Sequence, residues 1–244
     1  AKSMIQRKEV TKEETKERIL NVLTPMGRFG MPILCSWLEQ ESDFFEAPSS
    51  TAFHNAFPGG LAAHSWNVYS LLKQKVEMFQ LPPNDDTIAI VGLLHDLCKV
   101  GMYEIDADPP TDAQIKFLKD LAKKDYFKIP PNNMTKGYVS KLINFYKNGG
   151  DRPEFTESYK VNDKFPIGHG EKSVIIAQRF ITLTNEEAMA IRWHMVAFDA
   201  GIHFNFPSGY AFREAVNKCA LVTLLSTADQ EASNILEVDG KCEV

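Results

Sequence analysis

The stretch GLLHDLCKVG, Gly92 to Gly101, begins as an apolar helix and then places His95, Asp96 and Lys99 where a buried strip calls for hydrophobic side chains. A charge taken out of water must be paired, coordinate a metal or be neutralised. Any fold this chain adopts therefore has to bring a compensating group to that turn.

The surrounding pattern is helical. Thr11-Lys12-Glu13-Glu14 and Thr184-Asn185-Glu186-Glu187 both fit the capping box, in which a Thr side chain accepts from the N3 amide while the Glu reaches back. Pro32 suits the first turn of a helix over MPILCSWLEQE. Apolar residues at Leu61, Val68, Leu71, Leu72, Val76 and Phe79 make a helical stripe that LPPNDD ends, and the next helix is expected from Thr87 to Val100. Helical patterning returns at Glu171 to Leu183, Asn185 to Phe198 and Tyr210 to Asn234. Between them, residues 102–168 are cut by Pro109, Pro110, Pro130, Pro131, Pro153 and Pro166 and read as an insertion. It carries two helices, TDAQIKFLKDLAKK and TKGYVSKLINFYKNGG, and a small hairpin at SYKVNDKFPIG. The expected fold class is all-α.

A chain of 244 residues, 44% of them hydrophobic, can bury one large core. No run reaches the length of a membrane span, and the start of the chain is charged rather than leader-like. The expectation is a cytoplasmic protein that does not enter a membrane. Cys35, Cys98, Cys219 and Cys242 show no C-x-x-C pairing and read as reduced thiols, with Cys98 open to two readings, a packed small side chain or a ligand. A net charge of −5 argues against a nucleic-acid coat that works by neutralising phosphates.

Six histidines occur, and the placement of four of them is informative. His64 falls near the start of one helical stretch, His95 with Asp96 near the end of the next, His169 just before another and His194 inside a fourth, while Asp229 lies late in the last. One such histidine is ordinarily a satisfied core residue. Four, with two aspartates on separate helices, are what a divalent transition metal takes as ligands. His54 is read as a packing or substrate-side residue and His203 as a loop residue; Lys172 and Arg192 are candidates for phosphate contact or for the surface. Trp66 and Trp193, each near a candidate ligand, are packing residues.

The order H…HD…H…H…D, together with FHNAFPGGLAAHSWNV, GLLHDLCKVG and LLSTADQEAS, resembles the HD-domain superfamily of metal-dependent phosphohydrolases, over roughly Phe53 to Ser233 without the insertion. The resemblance implies a helical bundle over residues 53–244, with the 1–52 helices packing on its core and the insertion at about 102–168. It implies that His64, His95, Asp96 and Asp229 hold one ion (Fe, Mn, Mg, Ni, Co or Zn) and that Asp96 bridges to a second held by His169 and His194. It also makes Asp96 and Lys99 catalytic, with Lys99 aimed at a substrate phosphate; the alternative for Lys99 is an exposed cation favoured by the helix dipole.

Two such ions, about 3.5–4 Å apart, would activate a water for attack on a phosphoester, and no serine or cysteine nucleophile is needed. The expected substrate is a small phosphorylated molecule, nucleotide-like or a short oligonucleotide. The competing expectation is a diiron oxygenase of the myo-inositol oxygenase type, which uses the same six ligands in the same order. Between Lys116 and Lys147 the insertion holds Lys116, Lys119, Lys123, Lys124, Lys128, Lys136, Lys141 and Lys147 against Asp120 and Asp125, and this segment is expected to form a positive lid over the metals.

Overall fold

The structure is a computed structural model that describes residues 10–51, 54–82, 84–125, 134–149, 152–153, 158–196 and 207–238. Among these the fold is all-α, with one two-stranded sheet. The N-terminal segment supplies α1 (Lys12–Leu23), opened by the Thr11 capping box, and α2 (Met31–Gln40), with Pro32 in its first turn. Next come α3 (Gly60–Met78) and α4 (Asp85–Leu94), the latter capped by Asn84, whose side chain accepts from the Thr87 amide. The insertion holds α5 (Asp112–Asp125) and α6 (Lys136–Asn148). The chain returns through α7 (His169–Ala177), α8 (Asn185–Trp193) with the Thr184 capping box, α9 (Pro207–Lys218) and α10 (Ala220–Glu231).

The core forms around α3, α4, α8 and α10, with α1 packed on α3 and α4 and α7 on α8. Helix α4 is apolar on every side, and all its residues from Thr87 to Leu94 are buried, as a helix enclosed by others must be. Glu187, fully buried on α8, accepts from Arg28 Nη1 and Nη2 (2.5 and 2.9 Å) and from Thr87 Oγ1 (2.9 Å). That network ties α8 to α4 and to the loop between α1 and α2.

Four helical stretches end or break earlier than the apolar pattern suggests: α7 stops at Ala177 rather than Leu183, and α8 stops at Trp193, ahead of Phe198, which lies outside the described residues. The helix expected to reach Val100 stops at Leu94, and His95 and Asp96 lie in the turn before a short 3-10 segment, Leu97–Lys99. The stretch from Tyr210 to Asn234 is two helices, because Cys219 is extended (φ −139°, ψ 107°) and redirects the chain. The small β element pairs antiparallel: β2 (Tyr159–Val161) falls in the expected stretch, while its partner is β1 (Tyr103–Ile105), at the other end of the insertion. The sheet therefore clasps the insertion's two ends. Helices α5 and α6 bury Leu118, Met134, Tyr138, Val139 and Leu142 in a small core of their own.

Two glycines let the site-bearing helices approach. A Cβ on Gly92 would stand 2.7 Å from Tyr69 Cα, so α4 lies directly against α3; a Cβ on Gly170 would stand 2.0 Å from the Arg192 carbonyl oxygen, so α7 meets the end of α8. The first contact draws His95 to His64 and the second draws His169 toward His194. Gly92→Ala and Gly170→Ala should each lower stability by about 1–3 kcal/mol through overpacking, measured by urea denaturation. Gly27→Ala, where a Cβ meets nothing, should stay within about 0.5 kcal/mol of wild type.

Candidate metal centre

Asp96 is the hub. Its side chain is 2% exposed, with Oδ2 2.7 Å from Lys99 Nζ, 3.4 Å from His64 Nε2 and 3.5 Å from His95 Nε2, and with Oδ1 3.5 Å from His194 Nε2. Asp229 Oδ1 lies 3.1 Å from His64 Nε2. Donor atoms cluster within 4.8 Å of one another in four linked sets: His54, His64 and Glu237; His64, His95 and Asp229; His95, Asp96 and His194; and Asp96, Cys98 and His169. All six residues singled out by the sequence pattern are thus brought together, with His64, His95 and Asp96 shared between sets.

The imidazoles are turned inward by their outer nitrogens. His95 Nδ1 lies 2.9 Å from the Gly92 carbonyl, His194 Nδ1 2.6 Å from the Ile191 carbonyl and His64 Nδ1 3.0 Å from Glu237 Oε1. A carbonyl can only accept, so Nδ1 of His95 and His194 carries the proton and Nε2 offers a lone pair to the interior. His64 Nε2 and His95 Nε2 face each other at 3.3 Å, and His194 Nε2, fully enclosed, makes no hydrogen bond among the described residues. Inward imidazole nitrogens beside the buried Asp96 and the partly buried Asp229 form a donor set that fits a divalent transition metal. These buried His, Asp and Cys groups are close enough to hold such an ion.

The electrostatics agree with that chemistry at His95, whereas at His64 and His194 burial is outweighed by the neighbouring carboxylates, which favour the protonated ring. Burial pushes the His95 pKa down to about 4, leaving a neutral ring. Burial also opposes charge on His64, but hydrogen bonds to Asp229 and Glu237 override it and raise its pKa to about 10. A proton held between His64 and Asp229 competes with a metal ion for the same lone pair. Burial opposes charge on Lys99 too, and Asp96 outweighs it, so Lys99 stays cationic.

A cavity of about 660 Å3 opens onto this cluster, and Asp96, Lys99, His169, His194 and Asp229 all face it. Lys99 is 8% exposed and its Nζ also reaches Ser49 Oγ at 3.4 Å, so it is a buried cavity residue and not a solvated helix-end cation. Cys98 is a buried thiol whose pKa burial raises further; Sγ donates to Asp96 Oδ1 (3.7 Å) and lies 3.5 Å from His169 Nδ1. Cys35 and Cys219 are also buried free thiols, and Cys242 lies outside the described residues.

No described lysine of the insertion lines the cavity, α5 and α6 turn their apolar faces on each other, and Lys128 lies outside the described residues. Neither Lys172 nor Arg192 lines the cavity at the cluster; Arg192 is half-buried and lines a separate, open pocket between α7 and α8. Lys172 is buried against Asp163 (2.5 Å), and Arg192 pairs with Glu171 (2.5 Å) and lies over the Trp193 ring. Trp66 packs near Tyr69 and Trp193 near Phe212. His54 lines the cavity with its ring 5.1 Å from that of His64, and His203 lies outside the described residues. Ser49, Ser50, Tyr103, Gln230 and Asn234 also line the cavity, and Glu237 contacts His64; none stood out in the sequence, because isolated polar residues carry no spacing signal. No helix among the described residues is long and apolar enough to cross a membrane.

No protein-family model, curated protein or solved structure matches the chain. The geometry of the site therefore carries the functional argument. A divalent ion present at about a hundred times its Kd should stabilise the folded chain by about 2.7 kcal/mol, seen as a rise in Tm on adding Mn2+, Fe2+ or Zn2+. Asp96→Ala should remove that rise; a Tm unmoved by all three ions contradicts the assignment.

Proposed function

We propose that the chain is a metal-dependent phosphohydrolase of the HD-domain type, acting on a nucleotide or another small phosphorylated molecule. The observation that carries the reading is that the buried imidazole–carboxylate cluster and a buried ammonium, Lys99, face one cavity. In this reading His64, His95, Asp96 and Asp229 hold one ion, and Asp96, His169 and His194 a second. Bound there, divalent ions supply an activated water and stabilise charge on the phosphoryl oxygens and the leaving oxygen.

The chain's own groups divide the remaining work. Asp96 joins the two halves of the ligand set and keeps Lys99 charged and fixed at 2.7 Å. Lys99, on the cavity wall, is placed to neutralise a phosphoryl oxygen as negative charge builds there. The inward nitrogens of His64, His95 and His194 are oriented by their outer hydrogen bonds, so the rings need not turn to act as ligands, although His64 must give up the proton it shares with Asp229. The cavity's volume falls in the range of small-molecule sites, with room for a mononucleotide. Against Asp96 and Asp229, Lys99 is the ammonium lining it, so a phosphate is attracted only when metal cations neutralise those carboxylates.

Turnover of a panel of nucleotides, cyclic nucleotides and short oligonucleotides, with Mn2+ or Fe2+ supplied anaerobically, tests this reading. Release of phosphate or of a nucleoside monophosphate supports it, and dioxygen-dependent turnover of an unphosphorylated substrate overturns it in favour of the oxygenase alternative. Chelation should abolish binding of a phosphate analogue, measured by calorimetry, as well as turnover. Lys99→Ala should retain the bound metal and lower kcat about a hundredfold or more, a loss of a few kcal/mol of transition-state stabilisation. Wild-type kinetics in that variant would leave Lys99 no part in the reaction.

A further inference from the structure

His95 and His194 sit at the ends of α4 and α8, and each outer nitrogen pairs with a carbonyl three residues back in its own chain. His64 has no such option. It lies inside α3, where the carbonyls of its own turn are engaged by helix amides, so its Nδ1 needs an acceptor from elsewhere.

That acceptor is a carboxylate 173 residues further on. His64 Nδ1 is 3.0 Å from Glu237 Oε1 and 3.1 Å from Oε2, and the Glu237 side chain is 2% exposed. Asn67, one turn after His64 on α3, donates its Nδ2 to Glu237 Oε1 at 3.0 Å. Together these bonds seat the carboxylate against α3. The backbone that delivers it is unusual: Ala232–Leu236 form a π-turn, and the Glu237 amide donates to the Ala232 carbonyl five residues back, at 3.0 Å. In an unbroken α-helix the eight residues from Asp229 would carry Glu237 roughly 80° beyond two full turns. The wider turn brings it back toward the face of Asp229, so two carboxylates from one continuous stretch close on the two nitrogens of one imidazole, Asp229 at Nε2 and Glu237 at Nδ1. Wide turns of this kind recur at functional sites.

We infer that Glu237 is the positioning residue for His64: its carboxylate takes the Nδ1 hydrogen bond and holds the ring with Nε2 directed at the site shared by His95, Asp96 and Asp229. The inference rests on the metal-centre part of the proposed function and not on the reaction assigned to it. A carboxylate behind a ligating imidazole fixes the ring's orientation and strengthens its donor nitrogen, and losing such a partner typically lowers metal affinity about 10–100-fold. Here the effect is selective. Of the six candidate ligands Glu237 contacts His64, with His54 as its other imidazole neighbour, so the ion held at His64 weakens while the one at His169 and His194 is spared.

The test uses the full chain and Zn2+. Titration calorimetry and metal analysis of wild type, Glu237→Gln and Glu237→Ala are combined with 15N-imidazole NMR of the zinc-loaded proteins. Expected are a tenfold or greater loss of affinity at one site in Glu237→Ala, partial recovery in Glu237→Gln, which keeps an acceptor without the charge, and a wild-type His64 protonated on Nδ1. A purely structural role for Glu237 would leave affinity and the His64 resonances unchanged in a folded variant. If Glu237→Ala fails to fold, the isosteric Glu237→Gln carries the test, and wild-type affinity there overturns the inference. Zinc uptake by wild type with no change in either variant overturns this inference alone, whereas no uptake by wild type overturns the metal centre and this inference together.

Discussion

The burial of Asp96 is the constraint on which the rest of the structure depends. A carboxylate with 2% of its side chain exposed would be prohibitively destabilising if left alone in a core. It is instead ringed by Lys99, three imidazoles and the Cys98 thiol. Local structure answers to that ring. Helix α4 stops at Leu94, so that His95 and Asp96 point from a turn, and the Cys98 amide donates to Ser173 Oγ at 3.0 Å, which ties that turn to α7. Burial opposes the charge on Asp96, and Lys99 with the surrounding histidines outweighs it, holding its carboxyl well below the usual carboxylate range.

Positioning of the cluster is distributed over the whole chain. Helix α3 brings His64, the end of α4 brings His95 and Asp96, α7 brings His169, the end of α8 brings His194 and α10 brings Asp229. Close approach at Gly92 and Gly170 sets two of these meetings, and the Arg28–Glu187–Thr87 network holds α8 in register with α4. The N-terminal segment takes part as well, since Ser49 and Ser50 face the cavity and Ser49 accepts from Lys99 and, through its carbonyl, from Tyr103. The insertion stands apart, with its own small core, joined to the rest through the β1–β2 clasp. Among its described lysines, Lys147 lies over the Phe117 ring and Lys160 pairs with Glu104 and Asp108.

What was legible in the sequence was whatever depends on nearest neighbours along the chain or on residue chemistry. Thr11 and Thr184 announce their helices because a capping box is complete within four residues, and the six ligands announce a cluster because imidazole and carboxylate are costly in apolar helices. Local backbone choices made by tertiary contacts were not legible. Apolar patterning runs unbroken through His95 and through Cys219, yet the chain turns at both, because the turn is set by what the flanking helices pack against. Glu237 was hidden for a related reason: its distance from Asp229 in the chain is wrong for a shared α-helical face, and only the π-turn makes it right. A charge count locates the insertion's lysines along the chain but not the face on which they sit, and none of the described ones lines the cavity.

The central claim is that the cluster around Asp96 is a metal centre. Diffraction from crystals of the protein loaded anaerobically with Mn2+ or Fe2+, recorded on both sides of the metal's absorption edge, tests it most directly. The account predicts anomalous density within coordination distance of Asp96, flanked on one side by His64, His95 and Asp229 and on the other by His169 and His194. An anomalous map with no density at Asp96, or with ions bound only elsewhere on the chain, would contradict it.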